Sequence, residues 1–228
     1  TRGAWLLASR VAEAVSFIRN PQPVHFIFHT GHVGSTLVSR LLDETGLVLP
    51  LREPLPLRTL AEAHDVLGRP ESLLSEAQFD GTLSMFMQLW ARSYPGTRAS
   101  IVKATSSAGR LATAILARHT ASRAIYLNVR AEPYLATLLA GQNSPADLRG
   151  HGPERLRRLQ PRLATPLPPL NGMSIGELAA LGWLAESWSQ QDALKGMPDR
   201  GLALDFEQFL SSIADSMSRV IGHLGLAA

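Results

Sequence analysis

Residues 24 to 42 constrain the fold most tightly. Val24, Phe26, Ile27 and Phe28 form a short apolar run rich in β-forming side chains. Gly31 and Gly34 break it, and Leu37, Val38, Leu41 and Leu42 then recur at helical spacing. The pattern is a buried strand, a glycine turn and a helix. Such a turn binds anions, because glycines let several backbone N–H groups converge. The first turn of the helix adds unpaired donors and the positive end of its dipole.

The spacing of the turn approaches a Walker A loop, but Ser35 follows Gly34 where a nucleotide hydrolase has lysine. Losing the cation that reaches the β and γ phosphates disfavours ordinary ATP or GTP chemistry and leaves the anion site intact.

At 228 residues the chain suits one domain with a sizeable core. No apolar stretch approaches the roughly 20 residues of a membrane helix. With no secretory signal pattern in view, we expect a soluble, cytoplasmic protein. There is no cysteine, which excludes disulfides, thiolate metal sites and a cysteine nucleophile. The formal net charge is only +3, and among the 22 basic residues the lysines are Lys103 and Lys195. An arginine-rich composition fits either genomic base composition or an anionic ligand.

Along the chain, Ala4, Trp5, Ala8, Val11, Val15 and Ile18 mark an amphipathic helix over 4–19, stopped by Asn20-Pro21. Leu47–Leu49 is a second strand, and Arg52-Glu53-Pro54 lies at its exit. Helices in two or three pieces follow over 56–93. Asp80 is the expected cap of the piece whose core face carries Leu83, Phe86, Met87 and Trp90. Residues 99–104 form the next strand, with Lys103 where it emerges, and Thr105-Ser106-Ser107 then caps a helix over 108–118. Arg130 closes the strand at 124–129, and Pro133 begins a helix with Thr137 one turn in. From 142 to 172 the pattern dissolves into Gly, Pro and Arg. We expect a lid or a solvated insertion there, with a short basic helix near 153–160. Ser174 to Glu177 is a capping-box signature opening a helix to Lys195, and 201–205 is the last strand before terminal helices. Strand and helix alternate at least four times. That predicts one α/β domain over 1–228, a three-layer α/β/α unit with a mainly parallel central sheet.

The glycine loop, Glu53, Lys103 and Arg130 stand in an order that resembles the sulfotransferase family over most of the chain. Phe-His-Thr-Gly-His-Val-Gly-Ser-Thr-Leu at 28–37 resembles the loop that binds the 5′-phosphosulfate of 3′-phosphoadenosine 5′-phosphosulfate (PAPS). Ile-Tyr-Leu-Asn-Val-Arg-Ala-Glu-Pro at 125–133 resembles the segment that binds its 3′-phosphate. Leu-Arg-Glu-Pro-Leu at 51–55 is similar to the Glu-Pro segment of carbohydrate sulfotransferases. Ile-Val-Lys-Ala-Thr at 101–105 is similar to the Lys-Thr-His segment of cytosolic ones, and Leu-Asp-Phe-Glu at 204–207 to the family's late strand and acidic turn.

The resemblance implies a fold like the P-loop nucleoside triphosphate hydrolases and PAPS as the cosubstrate, with no metal. Gly31, His32, Val33, Gly34, Ser35 and Thr36 would hold the 5′-phosphate, and Arg130 and Thr137 the 3′-phosphate. Glu53 would be the base, with Lys103 and His32 stabilising charge on the leaving oxygen. His32 stands where the family has Lys or Arg. Thr105 stands where cytosolic members have His, which leaves the base role to Glu53. Thr137 is the nearest hydroxyl to the family's serine, and the arginines of 149–162 are candidates to replace a missing Gly- and Lys-rich cofactor segment. The acceptor is a small-molecule, carbohydrate or lipid hydroxyl, and nucleic acid is not expected. Two other classes stay open. A P-loop kinase or nucleotide hydrolase would bind ATP with Mg²⁺, and a non-catalytic nucleotide- or polyanion-binding protein would bind with a steep salt dependence.

Overall fold

The computed structural model describes residues 6–92 and 94–226. The five apolar runs become β1 (Val24–His29), β2 (Val48–Arg52), β3 (Ala99–Lys103), β4 (Ala124–Asn128) and β5 (Gly201–Asp205). They pair side by side in the order β2-β3-β1-β4-β5, every pair parallel. All six residues of β1 are buried, as a central strand covered on both faces requires. Alternate residues supply two cores. Ile27, Ile101, Ile125 and Leu127 face one layer of helices, while Phe26, Phe28, Val102 and Tyr126 face the other. The architecture is therefore the expected three-layer α/β/α sandwich.

The first helix, α1 (Ala8–Ser16), is shorter than the pattern over 4–19, and Ala4 and Trp5 lie outside the described residues. After β1 comes α2 (Ser35–Asp43), and after β2 come α3 (Leu55–Asp65) and α4 (Glu76–Trp90). The expected cap of α4 needs correction. Ser75 is the cap: its side chain accepts from the Gln78 N–H at 3.2 Å, and the Gln78 side chain accepts from the Ser75 N–H at 2.9 Å. This reciprocal pair satisfies two end donors and starts the helix a turn early. Asp80 then lies inside the helix, where it accepts from Arg118 Nε at 2.6 Å. Ser75→Ala is expected to lower stability by about 1 kcal/mol, read as a shifted urea midpoint at constant slope. An unchanged midpoint would remove Ser75 as the cap.

The helix expected over 108–118 is a 3₁₀ turn, Ser106–Leu111, running into α5 (Ala112–Arg118). Helix α6 (Ala131–Ala140) starts two residues before Pro133, which sits in the first turn, where its missing N–H breaks no helical bond. The short basic helix expected near 153–160 is the second half of a longer one, α7 (Ser144–Leu159). Its buried Leu148, Gly152, Arg155 and Leu159 lie along one side, and it packs against α8 (Ile175–Gly196). The chain ends in α9 (Phe206–Ser211) and α10 (Ile213–His223).

Most arginines of 149–162 are paired with carboxylates of the protein itself. Arg158 donates to Glu154 at 2.8 Å and to Glu186 at 2.9 Å, Arg155 Nε lies 3.5 Å from Glu186, and Arg162 pairs with Asp192. Among the described residues no helix is long and apolar enough to cross a membrane, and no group of three or more His, Asp or Glu is placed to hold a metal ion.

Candidate active site

In this sheet the chain leaves β1 toward β2 on one side and later crosses from β3 to β4 on the other. Open parallel sheets bind ligands at the carboxyl ends of the strands where that reversal occurs. Here the place is the carboxyl end of β1, and the glycine loop fills it.

Gly31 (φ 109°) and Gly34 (φ 70°) both adopt left-handed backbone, which lets the loop curl before α2. Gly34 is fixed twice over, since a Cβ there would run into the ring of Phe206 on α9. Among the described residues no N–H from Gly31 through Thr36 donates to a protein acceptor: Thr30 N–H bonds Leu127, and the next paired amide is that of Leu37. Gly34 caps α2 with no side-chain bond, so the donors of the first helical turn are open to a ligand. The Val33 side chain is buried in the core and anchors the loop, and Ser35 is buried at the helix start.

The loop forms one wall of a cleft of about 350 Å³, and Glu53 and Lys103 form part of the opposite wall. Lys103 is buried, and its ammonium group contacts Glu53 Oε1. The Glu53 N–H also donates to the Lys103 carbonyl at 2.7 Å, so backbone and side chain both join the ends of β2 and β3. Glu53 (φ 48°) and His32 (φ 51°) are non-glycine residues in left-handed conformation, and among the described residues Asn20 is the other. Strain of about 1–3 kcal/mol per residue persists where the surroundings enforce it, and it clusters at functional sites.

His29 lies in the floor of the cleft. Its Nε2 is 2.8 Å from the Ala104 carbonyl, so Nε2 carries the proton and donates, and Nδ1 has no partner among the described residues. Burial pushes its pKa down to about 4, which leaves the imidazole neutral near pH 7. His32 is exposed at the cleft and has the freedom to meet a charged ligand.

Two expected site residues are not gathered here. Arg130 stands at the exit of β4, beside a separate hollow of about 250 Å³ that Trp183 and Asp205 also line. Its guanidinium donates to both oxygens of Glu207, at 2.7 and 3.0 Å, a bidentate pair that also raises the arginine's pKa. Thr137 is exposed on α6, and its hydroxyl donates back to the Pro133 carbonyl at 2.8 Å.

The cleft also gathers residues that carry no site assignment from the sequence, among them Arg58, Asp147 and His151. Arg58 comes from α3, and Asp147 and His151 come from α7, with His151 Nε2 3.5 Å from Asp147. Burial, with Arg155 adding to it, lowers the His151 pKa and favours the neutral ring. A signal existed in the chain: Pro145 and Asp147 close after Asn143 are a helix-start pattern, and four residues separate Asp147 from His151. A larger cavity, about 460 Å³, lies at the opposite edge near Pro21, Met87 and His119, away from all of these groups.

No family model and no curated protein matches the sequence. Solved structures do match the fold. A sulfotransferase domain from the curacin biosynthetic pathway is 13% identical, with a TM-score of 0.54 over 92% of this chain and 76% of that one. A sulfotransferase from Alicyclobacillus acidocaldarius is 14% identical, with a TM-score of 0.52 over 90% of this chain and 82% of that one. At such identities the likeness is one of fold, and by that measure the chain is a divergent protein of the sulfotransferase fold.

Proposed function

We propose that the protein transfers a sulfuryl group from PAPS to the hydroxyl of an acceptor. The observation that carries this is the run of unbonded amides from Gly31 to Thr36, facing the same cleft as the Glu53–Lys103 pair. The amides and the start of α2 suit a 5′-phosphate, with the Ser35 and Thr36 hydroxyls beside it. PAPS supplies an activated sulfuryl group, which carries less negative charge than a terminal phosphoryl group and so needs neither the Walker lysine nor Mg²⁺. Glu53 accepts the proton of the acceptor hydroxyl as its oxygen bonds to sulfur, and the bond from sulfur to the phosphate oxygen breaks. Lys103, with His32 of the loop, stabilises the negative charge that develops on that oxygen. Lys103 has three donors, so one can stay on Glu53 while another reaches the leaving group.

Arg130 is the group for the 3′-phosphate, and to serve it must exchange Glu207 for the ligand. Calorimetry with 3′-phosphoadenosine 5′-phosphate (PAP), adenosine 5′-phosphate and ATP plus Mg²⁺ tests the assignment. PAP should bind selectively without metal. Arg130→Ala should weaken PAP about 10- to 100-fold, as expected for a lost charge-assisted pair, and leave adenosine 5′-phosphate nearly unchanged. Glu207→Gln should tighten PAP, because it removes the competing carboxylate. Preference for ATP with Mg²⁺ would favour the kinase class instead, and equal losses for both adenosine ligands in Arg130→Ala would dismiss the 3′-phosphate role.

A further inference from the structure

The order of the strands divides the carboxyl edge into two sides. The loop sits at β1, Arg130 lies beyond it after β4, and Glu53 and Lys103 lie on the other side, after β2 and β3. A donor held at its 5′-phosphate by the loop and at its 3′-phosphate by Arg130 extends toward β4. The acceptor must then approach from the Glu53 side, where a hydroxyl can reach the base.

The wall on that side is polar. Arg58 from α3, Ser106 and Ser107 after β3, and Asp147 with His151 from α7 all line the cleft with Glu53. Val33 is the one aliphatic side chain larger than a methyl among the lining residues, and it belongs to the loop. The set alternates in hydrogen-bonding character. Asp147 accepts and is largely exposed, a neutral His151 offers a donor or an acceptor, the serine hydroxyls do both, and Arg58 donates. An apolar cavity of about 230 Å³, between Leu167, Met173, Leu181 and Leu184, shares no lining residue with this cleft. A long alkyl or acyl chain entering beside Glu53 would strip water from these groups and return no hydrogen bonds, a cost for each one left unpaired. A compact molecule with several hydroxyls would match them one for one.

We infer that the acceptor is a polyhydroxylated, sugar-like molecule, with Asp147 and His151 holding the hydroxyls next to the one that attacks. This rests on the sulfuryl-transfer proposal above. It separates the carbohydrate class from the lipid class by the chemistry of the wall that faces Glu53.

The test measures PAP release from PAPS by the full chain, with methyl glucoside, methyl galactoside and lactose compared with 1-octanol. Turnover with at least one sugar should exceed that with octanol by about tenfold or more. In Asp147→Ala the KM for that sugar should rise about 10- to 100-fold, as for a lost hydrogen bond to a charged group, while PAP affinity stays constant. The substituted side chain is exposed, and a merely structural role would not separate KM from PAP affinity. Faster turnover with octanol, turnover with neither class, or an unchanged KM in the variant would overturn the inference. Binding of PAP is measured on the same sample. If PAP binds and the acceptor pattern is reversed, only the acceptor class fails, whereas absence of PAP binding removes the donor assignment and the acceptor with it.

Discussion

Glu53→Gln is expected to lower kcat by about 10²- to 10⁴-fold, the span that a positioned general base contributes. Glutamine keeps the length and the hydrogen-bonding oxygen of the side chain but cannot take a proton from an attacking hydroxyl. The backbone at this position is already left-handed and tied to Lys103 by its N–H, so the substitution leaves the chain path unchanged. The Lys103 contact makes the experiment sharper. A residue present only to neutralise Lys103 would, when replaced by glutamine, free the ammonium for the anionic ligand and leave the rate intact. A base predicts a different pair of results: PAP affinity held or tightened, and turnover lost. Single-turnover transfer together with PAP calorimetry on the one variant distinguishes the two. Undiminished turnover with tighter PAP binding would remove Glu53 from the base role and leave it as a counter-ion.

The parts of this molecule that were legible in sequence are those whose cause is local. Strands covered on both faces have no polar side, so β1, β3 and β4 stand out as continuous apolar runs, and turn residues mark the exits where Glu53 and Lys103 lie. Helix α7 was obscured because Gly150, Gly152 and Pro153 interrupt its period. Its reason for existing is tertiary. Gly152 lets the helix approach closely, since a Cβ there would meet Leu170 at 3.2 Å, and Leu148 and Leu159 are buried beside it. Asp147 and His151, carried into the cleft by that helix, were hidden with it. The bond from Arg130 to Glu207 was also out of reach, because it joins residues far apart in the chain through the neighbouring ends of β4 and β5. Thr137 shows the opposite limit. Proximity in sequence suggested its hydroxyl, but a helical threonine readily turns back to the carbonyl four residues earlier, and this one does.

Glu186→Ala is expected to cost about 3–5 kcal/mol, the loss seen when one member of a buried ion pair is removed. That is a large part of a total stability of roughly 5–15 kcal/mol. Glu186 on α8 is almost fully buried, and it faces Arg158 at 2.9 Å and Arg155 at 3.5 Å, both on α7. Arg155 is itself buried, and its other carboxylate, Glu154, is 3.9 Å away, so the alanine leaves a guanidinium without close compensation. The surroundings are tightly packed, since a Cβ on Gly182 would come within 3.1 Å of Arg155 Nη1 and 3.2 Å of the Tyr134 hydroxyl. Tyr134 in turn packs under the loop, with its ring 3.4 Å from where a Gly31 Cβ would stand. The network therefore ties α7, and with it the Asp147–His151 wall, to the layer beneath the glycine loop. Urea unfolding of Glu186→Ala, Arg155→Met and the double variant tests the origin of the loss. If the cost is an uncompensated charge, Arg155→Met in the Glu186→Ala background should restore part of the stability, because it removes the charge and keeps most of the volume. Additive losses would instead assign the effect to packing, and a single-variant loss below about 1 kcal/mol would mean that water compensates Arg155.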